Sequence, residues 1–163
     1  MIGRRRTPVG RALLVSATAG AAGTAALDAV TYLDMLARGR PVSEIPATLA
    51  TRITGALEMG LGDQPQDANR ARALGGLLGN LTALTVAVGY GLVRRVTRPR
   101  PTLAAGLVLG AAAMAASDTP IAMSGVSDLR RWGVAGWMAD ILPHAAYGLT
   151  VVTVHEALIG RSA

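Results

Sequence analysis

Hydrophobic positions along this 163-residue chain gather into four long stretches that carry almost no charge, at about 12–33, 73–93, 102–123 and 141–158. A helix rises about 1.5 Å per residue, so each stretch approaches the roughly 20 residues needed to cross about 30 Å of hydrocarbon. The pattern predicts an all-α fold in one domain: an integral membrane bundle of four transmembrane helices. A shorter period lies between the first two spans. Ile45, Leu49, Ile53 and Leu57 recur at every fourth position, with Thr48, Arg52 and Glu58 on other faces, Ser43 placed as a cap and Pro46 in the first turn. This predicts a short amphipathic helix over about 44–58. It would either lie on the outer membrane surface as an interfacial helix or serve as a connector packed on the bundle. Gly60 to Asn69 is polar, contains Pro65 and reads as loop. The segment from Ser124 to Asp140 holds Trp132 and Trp137 beside Arg130 and Arg131, and tryptophan favours the headgroup level, so the two indoles are predicted interface anchors.

Composition agrees with a membrane chain. Hydrophobic residues make up 51% and charged residues 16%, with a mean hydropathy of +0.39, which is too apolar for a soluble domain of this size. Cysteine is absent, which excludes disulfides, thiolate metal sites and a cysteine nucleophile. The basic residues are all arginine. They form no long basic run and have no aromatic platform beside them, so the expected partner is the lipid bilayer and not nucleic acid.

The arginines instead predict orientation. Arg4, Arg5, Arg6 and Arg11 precede the first span, and Arg94, Arg95, Arg98 and Arg100 lie between the second and third. The positive-inside rule places both groups in the cytoplasm, and four crossings return the C-terminus with Arg161 to the same side. Both termini are therefore expected in the cytoplasm. Arg38, Arg40, Arg52 and Arg70 in the first outer connection are mixed with Glu44, Glu58, Asp63 and Asp67. The start of the chain has a second reading as a cleavable export signal, twin-arginine signals included. The apolar stretch favours a span because it continues to Leu33.

Candidate chemistry sits on small-residue stripes. In the first span Ser16, Gly20, Thr24, Asp28 and Tyr32 recur every four residues, as do Gly106, Gly110, Met114 and Asp118 in the third. Gly75 and Gly79 repeat the theme in the second, and such glycines let helices pack closely. The first and third spans also align on their aspartates, Gly20 to Asp28 against Gly110 to Asp118, which could mark a duplicated helical hairpin. Asp28 follows Arg11, and Asp118 follows Pro101, by 17 positions, so each stands about 25 Å up its helix, near the outer end of the hydrocarbon. The fourth span starts from that side, with Asp140 as a helix start, Pro143 in the first turn and His144 one turn in.

Asp28, Tyr32, Asp118 and His144 thus form the predicted outer site. Three uses are open: proton or small-ligand handling, a divalent cation held by Asp28, Asp118 and His144, or bonding that only joins helices, the last carrying most weight. His155 lies 11 positions beyond His144, about 16 Å away along the helix, and cannot share one ion with it. Glu156 is expected to pair with an arginine near the inner interface. No P-loop, nucleophile elbow, paired-histidine zinc motif or dinucleotide fingerprint is present, which leaves no common enzyme class supported and no cofactor identified.

The run Leu27-Asp28-Ala29-Val30-Thr31-Tyr32-Leu33-Asp34-Met35, followed by Arg38-Gly39-Arg40-Pro41 and Ser43, resembles a signature of small actinobacterial membrane proteins. The order of parts is similar to the YagU-type inner-membrane family: a glycine-rich first helix, a proline-bearing outer segment, Gly89-Tyr90 near the end of the second helix, a third helix breaking at Pro120, and Asp140 to His144 opening the fourth. The resemblance implies a bacterial inner-membrane protein and brings no reaction with it. Two functions are expected from the residues. One is a small transport-type or accessory protein with an outer polar site for a proton, cation or small polar ligand. The other is a structural or assembly subunit, as a homo-oligomer or with a membrane partner.

Overall fold

The computed structural model describes residues 8–61, 66–97 and 103–160. The expectations attached to Arg4 to Arg6, Asp63, Pro65, Arg98, Arg100, Pro101 and Arg161 lie outside them. Every regular element among the described residues is helical: α1 (Val9–Arg38), α2 (Ile45–Ala56), α3 (Gln66–Thr97), α4 (Leu103–Ser124), a 3₁₀ turn (Leu129–Arg131) and α5 (Gly133–Gly160). Helices α1, α3 and α4 are long and apolar enough to cross a membrane.

The helices run past the apolar stretches because a helix continues into water as long as its backbone bonds are made. Gln66 to Asn69 is the first turn of α3 and not loop, and α5 starts at Gly133, seven residues before Asp140. Nor does α4 break at Pro120, which it carries inside an unbroken helix to Ser124. It stops at Gly125, whose φ of +66° is a left-handed helix ending that glycine adopts without strain.

The four long helices pack in the order α3, α1, α5, α4, with α3 and α4 touching more lightly. Adjacent members of that order run antiparallel. Ser16 and then Gly20 of α1 meet Gly91 and then Ala87 of α3, while Gly23 meets Val151 and Tyr147 of α5 and Arg38, at the end of α1, reaches Ala135 near the start of α5. Helix α5 carries the core: Tyr147, Val151, Val152 and His155 are buried on it, and Ala19, Ala87, Leu109 and Ala113 close over Tyr147 and the two valines. Two histidines, Glu156 and Asp140 dilute its hydropathy, which is why it is the one long helix without a sufficiently apolar stretch.

Glycine sets the helix spacing. A methyl group at Gly20 would meet Ala87 on α3 at 2.9 Å, one at Gly106 would meet Leu149 at 2.7 Å, and one at Gly110 would strike the His144 carbonyl. Gly23, Gly91 and Gly148 are equally tight, although the sequence stripes do not include them. The expected Gly75–Gly79 pair does not hold. Gly75 seats the backbone of Pro46, and Gly79 is exposed with nothing near it. The face that α2 buries also differs from the expected apolar row. Ala47, Ala50 and Thr54 are buried, whereas Ile53 and Leu57 are exposed. Small residues win there because α2 lies close against α3. Arg72 pairs with Glu44 at 3.1 Å, and Arg52 donates to the Ser124 carbonyl at 2.5 Å.

Candidate functional site

The structure keeps Asp118 and His144 of the predicted outer site near each other and leaves Asp28 and Tyr32 out. Asp28 is exposed on α1, and Tyr32 is 62% exposed. Residues four apart on a helix are rotated by about 40°, so Asp28 is turned about 80° from Gly20, off the face that meets α3. The two aligned aspartates are therefore not equivalent, since Asp118 is 7% exposed. No group of three or more His, Cys, Asp or Glu side chains among the described residues is disposed to hold a metal ion, and the set Asp28, Asp118 and His144 does not assemble.

What assembles is Asp118 on α4 with Asp140 and His144 on α5. His144 Nδ1 lies 2.9 Å from the Asp140 carbonyl oxygen and 3.2 Å from its Oδ1. Both of those atoms are acceptors, so Nδ1 carries the proton and donates. The Nε2 lone pair is then left to take another. Asp140 is thus an orienting group within the helix and not its first residue. Its Oδ2 is buried without a hydrogen-bond partner. Asp118, itself buried, lies within electrostatic reach of both groups. The backbone permits this approach because Gly110 on α4 and Gly148 on α5 bring their main chains together. Spacing alone carried a signal here: Asp140 and His144 are one turn apart on one helix face.

A second polar group lies toward the other end of α5. Arg94 Nε donates to Glu156 Oε1 at 2.5 Å, and Arg94 Nη2 completes a two-pronged contact with Oε2. The expected pairing of Glu156 with an arginine is therefore present. The Tyr90 hydroxyl donates to the same Oε1 at 3.3 Å. His155, beside Glu156, is fully buried and meets the Tyr90 ring edge-on with centroids 5.1 Å apart. Between the two groups, the Tyr147 hydroxyl donates to the Ala83 carbonyl at 2.5 Å.

The resemblance run builds an ion cluster at the end of α1. Gly39, with φ +62°, turns the chain back so that Arg40 Nε and Arg38 Nη2 each donate to Asp34 Oδ2 at 2.5 Å. Arg38 also donates to the Ala135 carbonyl at 3.2 Å, tying this corner to the start of α5. Next to it, the Trp132 and Trp137 rings pack with centroids 5.4 Å apart, and Trp132 Nε1 donates to Ser127 Oγ at 2.8 Å.

Fold and site together define a helical protein of membrane character, with polar groups held between its helices. Comparison with protein-family models, curated proteins and solved structures finds no match, so the likeness to YagU-type proteins rests on the sequence motifs alone.

Proposed function

We propose that the chain crosses a bacterial inner membrane four times, with α5 as the fourth crossing and both termini in the cytoplasm. In this reading it is a small transport-type protein that takes up and releases a proton at an outer site made by Asp118, Asp140 and His144. The observation that carries the proposal is the donated Nδ1–H of His144, held by Asp140, with the buried Asp118 carboxyl close by. A carboxylate that orients an imidazole also stabilises the imidazolium, and intramembrane ionisable groups are functional by default. A fourth crossing by α5 is supported by its 28 residues and by its place between α1 and α4, which shields its polar groups from lipid. On this account α2 rests at the outer interface, presenting Ile53 and Leu57 to the headgroup region.

The test is relaxation of an imposed pH gradient in vesicles that hold the purified protein and a trapped pH-sensitive dye. Wild type is expected to relax the gradient, and His144→Gln and Asp118→Asn to slow it at least about 100-fold, the low end for loss of a proton-transfer group. Relaxation no faster than in empty vesicles, or unchanged by both substitutions, contradicts the proposal.

The second reading, a structural or assembly subunit, is favoured by one face of α3. Gly76, Gly79 and Asn80 are exposed there, with open space beside both glycines. An amide in hydrocarbon gains from a partner helix, and adjacent glycines let one approach. Gly79→Leu would abolish association under this reading and leave the pH-gradient assay untouched under the first.

A further inference from the structure

Glu156 is held by Arg94 while the imidazole beside it is left without a bond. His155 has no exposed surface and neither ring nitrogen has a hydrogen-bond partner, Nδ1 standing 3.5 Å from Glu156 Oε1 without the alignment of a bond. A buried polar group in that state needs a reason, because leaving it unpaired is costly. Packing alone does not supply one. A side chain at Gly91 would strike Ser16 Oγ and stand 3.1 Å from His155 Nε2, so the glycine leaves room for both groups.

We propose that His155 is a second proton-binding site, in which the imidazole and Arg94 compete for the Glu156 carboxylate. With His155 neutral, Glu156 and Arg94 balance, and the site carries no net charge. Adding a proton to the imidazole would leave one uncompensated positive charge in a poorly hydrated place, which is costly. Charge balance is kept if Arg94 withdraws as His155 pairs with Glu156. Arg94 can do so because it is near the end of α3, its side chain is 14% exposed, and a long guanidinium side chain reaches outward to water. One proton in and one guanidinium out leaves the carboxylate paired in both states. The groups facing His155 are Glu156 on its own helix, Tyr90 and Arg94 on α3, and the uncharged Ser16 on α1, with Arg11 exposed further down α1. Tyr90 follows Glu156 in either state by donating its hydroxyl.

The chain has two histidines, so in His144→Gln protein labelled with ¹⁵N-histidine the imidazole signal belongs to His155 alone. That background also removes the outer imidazole, so the result does not depend on the outer proton site. The signal is followed by nitrogen NMR in lipid vesicles across a pH series. In this background, Arg94→Gln should raise the ratio of imidazolium to imidazole by about tenfold at a fixed pH, because the competing cation is gone. Glu156→Gln should remove the imidazolium signal wherever the protein keeps its helical circular dichroism. If Glu156→Gln does not fold, the Arg94→Gln comparison decides alone. An unchanged ratio in Arg94→Gln overturns the proposal, as does an imidazolium population in Glu156→Gln equal to that of the parent.

Discussion

Gly110 on α4 and His144 on α5 are in backbone contact: a side chain at Gly110 would run into the His144 carbonyl. The seam that presents the imidazole thus depends on an atom that is absent. Gly110→Ala should lower stability by about 1–3 kcal/mol, the usual cost of overpacking, and should move His144 away from Asp118. Gly79 is the internal control. It is exposed and open, so Gly79→Ala should be neutral or stabilise by up to about 1 kcal/mol through helix propensity. Thermal unfolding in detergent measures both.

Asp34 receives two guanidinium groups, and one of them also holds the start of α5. Asp34→Asn should release both arginines and lower stability only slightly, because the cluster is partly exposed and screened by water. Added salt should shrink the difference between variant and wild type. A loss that is independent of salt would mean that Asp34 acts by packing.

The two tryptophans, Trp132 and Trp137, report one place because they are in contact and are the only two in the chain. If that corner lies at headgroup level, lipids with a quencher near the headgroup should reduce their emission more than lipids with one deep in the acyl chain. Equal or deeper quenching would contradict the interfacial placement.

Asp28 and Asp118 give opposite expectations although they occupy matching places in the sequence. Asp118 is buried beside Asp140 and Asp28 is exposed. Asp28→Asn should leave relaxation of a pH gradient within about twofold of wild type, and Asp118→Asn should slow it by about 100-fold or more. Equal effects from the two substitutions would return Asp28 to the site.

The helical class and the apolar spans were legible because lipid leaves a chain few options, and long uncharged stretches reveal the choice. Which way each residue faces was much less legible. A four-residue period drifts by about 40° at each step, so the stripe from Ser16 through Gly20 to Asp28 begins on a packed face and ends on an exposed one. The packing glycines of α1 and α4 were visible at Gly20, Gly106 and Gly110, whereas the spacing did not single out Gly23, Gly91 and Gly148, whose close contacts follow from the way α1, α3, α4 and α5 cross. Asp140 was misread because Pro143 suggested a helix start, while α5 begins two turns earlier and carries the proline inside. His155 gave no sign of its burial, since a histidine beside a glutamate near the end of a span reads as an ordinary interfacial pair.

Helix α5, the one long helix among the described residues without a stretch apolar enough to cross unaided, is proposed to cross the membrane in the shelter of the others. Because the chain lacks cysteine, single cysteines can be placed at Ser43, Thr97, Ser127 and Ser162 and labelled with an impermeant thiol reagent in sealed vesicles. Four crossings predict that positions 43 and 127 label from one side, and positions 97 and 162 from the other. Labelling of position 162 from the same side as position 127 would show that α5 does not cross, and would contradict the account.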